Sequence, residues 1–122
     1  MKKKATVRFD KEPHKAYRLL EKEVEEEQKE GVKNSDNQRL LKSINKAIDR
    51  LKVNAQAGDH VPKKTAQKAL RYYEVESIWR LELVNYWRLI YTITADEVDI
   101  IAFVLDCVDH PTYNKIFGYK KK

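Results

Sequence analysis

Ile78-Trp79-Arg80-Leu81-Glu82-Leu83-Val84-Asn85-Tyr86-Trp87-Arg88-Leu89-Ile90-Tyr91-Thr92-Ile93 decides the fold. Trp79, Leu81 and Leu83 alternate with Arg80 and Glu82. Beyond Asn85, Trp87, Leu89, Tyr91 and Ile93 alternate with Arg88, Ile90 and Thr92. A period of two is the signature of a strand with one buried face, so the stretch reads as a β-hairpin. Both apolar rows are odd-numbered and must share one core. Residues paired across the hairpin then have the same parity, and the turn holds an odd number of residues, for example Val84-Asn85-Tyr86. A two-residue turn would put one tryptophan row in water. With the odd turn, Arg80, Glu82 and Arg88 stand together on the other face.

Downstream, Thr94 to Glu97 is a polar turn. Val98 to Val108 is almost continuously apolar, as a central strand covered on both faces would be. Asp109-His110-Pro111 breaks it, Tyr113 to Tyr119 suggests a last helical turn, and Lys120, Lys121 and Lys122 follow. Upstream, Ala5 to Phe9 reads as a short strand. Pro13 suits the first turn of a helix that carries Ala16, Tyr17, Leu20 and Val24 and stops at Gly31. Ser35 and Gln38 form a capping box for a second helix with an apolar stripe of Leu40, Leu41, Ile44, Ile48 and Leu51, ending near Ala57. His60 to Lys64 reads as a loop, and Thr65 to Tyr73 as at most a short helical turn.

The expected fold is α+β, a single domain over 1–122. It is an antiparallel meander sheet with an N-terminal strand and a helical hairpin packed on one face, in the order β-α-α-β-β-β with a short C-terminal element.

Composition narrows the function. The 122 residues suit one core. Charged residues make up 36% and hydrophobic ones 42%, which leaves enough apolar surface to fold. No apolar run approaches membrane-spanning length, and no apolar stretch follows the basic Met1-Lys2-Lys3-Lys4, so a cytoplasmic protein is expected. One cysteine, Cys107, rules out an internal disulfide and a Cys-rich zinc site. His14, His60 and His110 lack metal-ligand spacing, so neither a metal nor a cofactor is expected. The net charge of +6 is uneven: Asp10 to Gly31 holds eight acids and five bases, and the rest is strongly basic. A basic body suits a polyanionic partner, although a solvated surface also explains charge runs.

Tyr86-Trp87-Arg88-Leu89-Ile90-Tyr91 resembles the "YR-apolar-apolar-Y" strand of the RelE/ParE superfamily of toxins from toxin–antitoxin systems. Ile78 to Leu83 is similar to the preceding strand of that family. Ile101 to Asp109, with His110, Tyr113 and Phe117, is similar to its last strand and catalytic ending. The resemblance implies a type II toxin that acts as a metal-independent mRNA endonuclease at the ribosome, through attack of the 2′-hydroxyl on the adjacent phosphate. It implies a cognate antitoxin, mRNA and the ribosome as partners, with no membrane. By matched position it implies that Arg88 stabilises the transition state, Arg80 contacts phosphate, and His110 transfers a proton. Glu82 stands where active members carry a second lysine, but some members use a Glu–His pair, and the resemblance then implies that Glu82 and His110 supply base and acid in either order. Tyr113 or Phe117 matches an RNA-orienting aromatic. Tyr86 and Tyr113 are stacking candidates because neither need be core. Lys63, Lys64, Lys120 and Lys121 are candidates for tracking the RNA backbone. Members without nuclease residues act on DNA gyrase, so a non-catalytic interaction module of the same fold is the alternative.

Overall fold

The computed structural model describes residues 4–95 and 98–119. The chain is α+β, with four α-helices and one five-stranded mixed sheet. In chain order these are β1 (Lys4–Phe9), α1 (Lys11–Lys29), α2 (Asp36–Val53), β2 (Asp59–Val61), α3 (Lys63–Tyr73), β3 (Ile78–Glu82), β4 (Arg88–Ala95), β5 (Asp99–Val108) and α4 (His110–Phe117). The strand order is β1-β5-β4-β3-β2.

The sheet is not a simple meander. β3, β4 and β5 follow one another antiparallel, but β1 joins the far side of β5 in parallel. Everything from α1 to β4 lies between these two strands in the chain, far more than the long connection a parallel pair requires. A three-residue β2 adds the opposite edge, pairing Asp59 with Arg80 and Val61 with Ile78, where a loop was expected.

The hairpin register follows the parity argument. Glu82 faces Arg88, Leu81 faces Leu89 and Trp79 faces Tyr91. The turn is Val84–Tyr86, closed by the amide of Leu83 on the carbonyl of Trp87 at 2.8 Å. Its odd length puts Leu81, Leu83, Leu89 and Tyr91 in one core with Ile44, Ala47 and Leu51 of α2.

The opposite face is also covered, which the sequence reading did not foresee. Ala66 and Ala69 of α3 and Tyr113, Ile116 and Phe117 of α4 form a second core with Ile78, Ile90, Leu105 and Val108. The sheet is therefore a middle layer, with α1 and α2 on one side and α3 and α4 on the other. This explains why β5 is apolar on both faces.

Local signals set the helix ends. Asp10 caps α1, and Gly31, at φ 79°, follows its end. The hydroxyl of Ser35 accepts from the amide of Gln38 at 3.1 Å, and the Gln38 side chain accepts from the amide of Asn34 at 2.6 Å. α2 stops at Val53, four residues before the expected end, because Asn54 to Gly58 turns the chain into β2. α3 runs a full eleven residues. Its small Ala66 and Ala69 let it lie close on the sheet, a face that a search for large apolar residues overlooks. No helix among the described residues is long and apolar enough to cross a membrane.

Candidate anion site at the Arg80–Arg88–His110 cluster

Arg80 and Arg88 are on one face of the hairpin by register. α4 lies against that face, and Asp109 sets its start. The Asp109 carboxylate accepts from the amide of Thr112 at 3.0 Å, and its bonds with Thr112 hold its pKa below the usual carboxylate range. His110 is then the first helical residue and Tyr113 lies one turn on.

Tyr113 is the centre of the cluster. It is only 1% exposed, and its ring stacks on Phe117 with centroids 4.2 Å apart. Arg80 donates through Nη1 to the Tyr113 hydroxyl at 2.7 Å. The Arg88 guanidinium carbon lies 4.5 Å from the Tyr113 ring centroid, and that of Arg80 lies 5.7 Å away. Two like charges thus share one neutral aromatic support. Burial pushes the Tyr113 hydroxyl up from its ordinary range while the Arg80 guanidinium opposes the shift, so the support is an uncharged phenol at neutral pH.

Arg88 reaches out of this layer. Its Nη1 donates to the carbonyl of Tyr86 and meets Nδ1 of His110, both at 3.1 Å. An arginine has only donors, so Nδ1 accepts and a neutral His110 carries its proton on Nε2. Nε2 lies 3.3 Å from the side-chain amide of Asn114. The Asn114 atom placed there is Nδ2, and with the proton on Nε2 the contact becomes a hydrogen bond when the amide is turned to present its oxygen.

No ion pair involves Arg80 or Arg88 among the described residues. Asp59 faces Arg80 across the strands beyond ion-pair distance. Both Nε groups are buried without a hydrogen-bond partner among the described residues. Partly buried guanidinium groups usually sit against carboxylates. Two that do not, beside a histidine, are a candidate site for an anion.

The structure rearranges the expected site. Arg80, Arg88 and His110 come together. Glu82 stands opposite Arg88 in the hairpin register, exposed at the end of β3 beside a surface cleft toward Ser43 and Arg50 of α2. Among the described residues it makes no hydrogen bond to His110 and no ion pair with Arg88. Tyr113 and Phe117 are core, at 1% and 4% exposure, and offer no face for a base. The reason is α4, which buries its apolar side against α3 and the sheet. Tyr86 is 76% exposed at the turn, its ring 6.1 Å from that of His110. Lys63 and Lys64 are exposed on the first turn of α3. His60 is exposed against Trp79, with ring centroids 4.9 Å apart. His14 is exposed on the first turn of α1. Lys120 and Lys121 lie outside the described residues.

Asn114 went unnoticed in the sequence, although it lies four residues after His110, one helical turn away. Asp106 did too. Its carboxylate accepts from the Tyr73 hydroxyl at 2.9 Å, tying α3 to β5, and both burial and the carboxylate push the Tyr73 hydroxyl up. Among the described residues no group of His, Cys, Asp or Glu side chains is arranged to hold a metal ion. Comparison with protein-family models, with curated proteins and with solved structures returns no match.

Proposed function

We propose that the chain binds RNA through its phosphodiester backbone and cleaves it without a metal, as the toxin of a type II toxin–antitoxin system acting on ribosome-bound mRNA. The observation that carries this reading is the pair of guanidinium groups with no ion pair among the described residues, set on a neutral phenol beside a histidine. The likeness of Ile78 to Phe117 to RelE-like toxins supports the choice of RNA and of an antitoxin partner.

The chemistry follows from the donors present. A phosphate takes the Arg88 bonds now made to His110, and the guanidinium meets the charge that grows on the pentacoordinate phosphorus. Its planar fork suits two phosphate oxygens. Arg80 adds a second positive charge. Displacing Arg88 frees the Nδ1 lone pair of His110. That nitrogen takes the proton of the 2′-hydroxyl as the new oxygen–phosphorus bond forms. The imidazolium returns a proton to the 5′-oxygen as the old bond breaks, leaving a 2′,3′-cyclic phosphate. Glu82 makes no hydrogen bond to His110 among the described residues, and both transfers are assigned to His110.

A second reading has one observation in its favour. Arg88 is already engaged by Tyr86 and His110, as it would be in a module that binds nucleic acid or a protein without cleaving.

The deciding experiment is cleavage of ribosome-bound mRNA in the presence of a chelator. Wild type should cut, and a 2′-deoxy sugar at the cleaved position should stop it. Arg88→Ala and His110→Ala should each lower the rate by roughly 10²–10⁴-fold, and Arg88→Lys should restore part of it. Intact mRNA with wild-type protein, or undiminished growth inhibition by both alanine variants, refutes the nuclease reading and leaves the binding module.

A further inference from the structure

Tyr86 stands at the rim of the anion site in a conformation that its own packing does not explain. It ends the three-residue turn between β3 and β4, with φ of 63° after Asn85 at 55°. Asparagine tolerates the left-handed region, but a bulky side chain there is strained. Burial does not compensate, because the residue is 76% exposed. The turn is tied at several points. Leu83 donates to the Trp87 carbonyl at 2.8 Å, the Val84 amide donates to the Ser43 hydroxyl at 3.0 Å, and Arg88 donates to the Tyr86 carbonyl at 3.1 Å. Strain that the surrounding structure enforces on an exposed side chain points to use.

The ring is held 6.1 Å from that of His110, at an interplanar angle of 54°. Its backbone carbonyl is fixed by Arg88, the same guanidinium that faces an incoming phosphate. A phosphate on Arg88 and a base on the Tyr86 ring are therefore one nucleotide's reach apart. Tyr113 and Phe117 of this face are buried, and Tyr119, 41% exposed, lies against their rings rather than beside His110.

We propose that Tyr86 is a stacking platform for one unpaired base next to the phosphate held by Arg88 and His110, so that the site takes single-stranded and rejects double-stranded RNA. The inference rests on the phosphodiester reading above. In an A-form duplex the bases stay paired and stacked, and none can leave to meet the ring. Stacking on an aromatic tolerates any base, so Tyr86 selects the form of the RNA rather than its sequence.

The test uses binding, not cleavage. A labelled hexanucleotide with 2′-fluoro sugars lacks the attacking hydroxyl and stays whole. Wild type should bind it, and Arg88→Ala should bind far more weakly. Tyr86→Ala should weaken binding by about 5- to 150-fold, the loss of one base–aromatic stack. Tyr86→Trp should keep it. Tyr86→Gly should weaken binding like Tyr86→Ala yet melt at a higher temperature than wild type, because glycine relieves the left-handed strain. A blunt duplex of the same sequence should compete poorly. If Tyr86→Ala binds the single strand as tightly as wild type, or the duplex competes equally, the stacking role is overturned while the phosphodiester reading stands. If wild type and Arg88→Ala bind the hexanucleotide alike, the phosphodiester reading falls, and this inference with it.

Discussion

Gly58→Ala should destabilise the protein by about 2–3 kcal/mol through a steric conflict beneath the edge strand that faces Arg80. A Cβ at residue 58 would lie 2.4 Å from the Arg80 carbonyl oxygen and 2.7 Å from the Tyr91 hydroxyl. Carbon–oxygen contacts normally stop near about 3.3 Å, so one side must move by nearly an ångström. Tyr91 is fully buried and donates to the Ala55 carbonyl at 2.8 Å, while its oxygen accepts from the Gly58 amide at 3.0 Å. The easier motion peels β2, which holds β3 over only three residues. Overpacking contributes about 1–3 kcal/mol and the lost hydrogen bond about 1 kcal/mol. The reduced freedom of the unfolded chain returns about 0.4–1 kcal/mol. Urea unfolding followed by tryptophan fluorescence measures the result, since Trp79 packs against His60 of β2. A double-mutant cycle tests the geometry. Tyr91→Phe is itself destabilising, because it leaves the Ala55 carbonyl and the Gly58 amide unpaired. In that background Gly58→Ala should cost less, because the 2.7 Å contact is gone, but not nothing, because the Arg80 oxygen remains. Gly58→Ala within about 0.5 kcal/mol of wild type, or costs that simply add, would refute the described seating of β2.

Asp109→Ala should lower stability by about 1 kcal/mol through loss of the α4 cap. The bonds from Thr112 lower the folded-state pKa, so this contribution is present above the unfolded carboxylate range and is lost as pH falls through the folded value. Urea midpoints of wild type and variant should differ at pH 7 and converge in acid. Burial, and secondarily Asp106, push the Cys107 thiol up to about 12. At pH 8 the native protein then holds roughly 10³-fold less thiolate than an unperturbed cysteine. Iodoacetamide should alkylate the native chain correspondingly slowly and the urea-unfolded chain at an ordinary rate; equal rates would contradict the packing of the half-buried Cys107 against the first core. Tyr113→Phe should cost about 1–3 kcal/mol by removing the Arg80 hydrogen bond. Tyr113→Leu should cost more, since the ring beneath Arg88 also goes; equal losses in denaturant titrations would show that the ring does not support Arg88.

The hairpin and the site pair on it were legible because period-two alternation fixes both the strand and the face. Arg80 and Arg88 had to share a side once Trp79 and Trp87 did. The capping pair Ser35 and Gln38 fixed the start of α2 for a similarly local reason. What lies over Arg80 and Arg88 was not legible. α3 buries alanines, whose apolar signal is faint, and α4 starts at a histidine and a proline that read as a loop. Reading both only as short helical turns, with no packing assigned to them, left the arginine face open in the sequence reading. That made Tyr113 and Phe117 available as stacking residues and Glu82 a neighbour of His110. The parallel placement of β1 was hidden too, because Ala5 to Phe9 suits an edge strand in either direction.

A single extra residue in β5 determines which side chains reach the arginine face. Ile90 pairs with Asp106 but Tyr91 pairs with Val104, so Leu105 is bulged out of the ladder. Before the bulge Ala102 and Val104 pack with α2, and Phe103 and Leu105 with the second core. After it Cys107 packs with the first core and Val108 with the second. Leu105 and Asp106 therefore face the same side, as a bulge allows and a regular strand does not. With a regular register, Asp106 would enter the α2 core as an unpaired carboxylate, and Cys107 would replace it on the other face. The bulge instead delivers Asp106 to Tyr73 of α3 and puts Val108 opposite Arg88. Asp109 then caps α4, which brings His110 to Nη1 of that arginine. Because Val98 to Val108 is almost uniformly apolar, alternation carries no phase there. Asp106 is the residue that reports the shift, and its parity makes sense only with the extra residue counted.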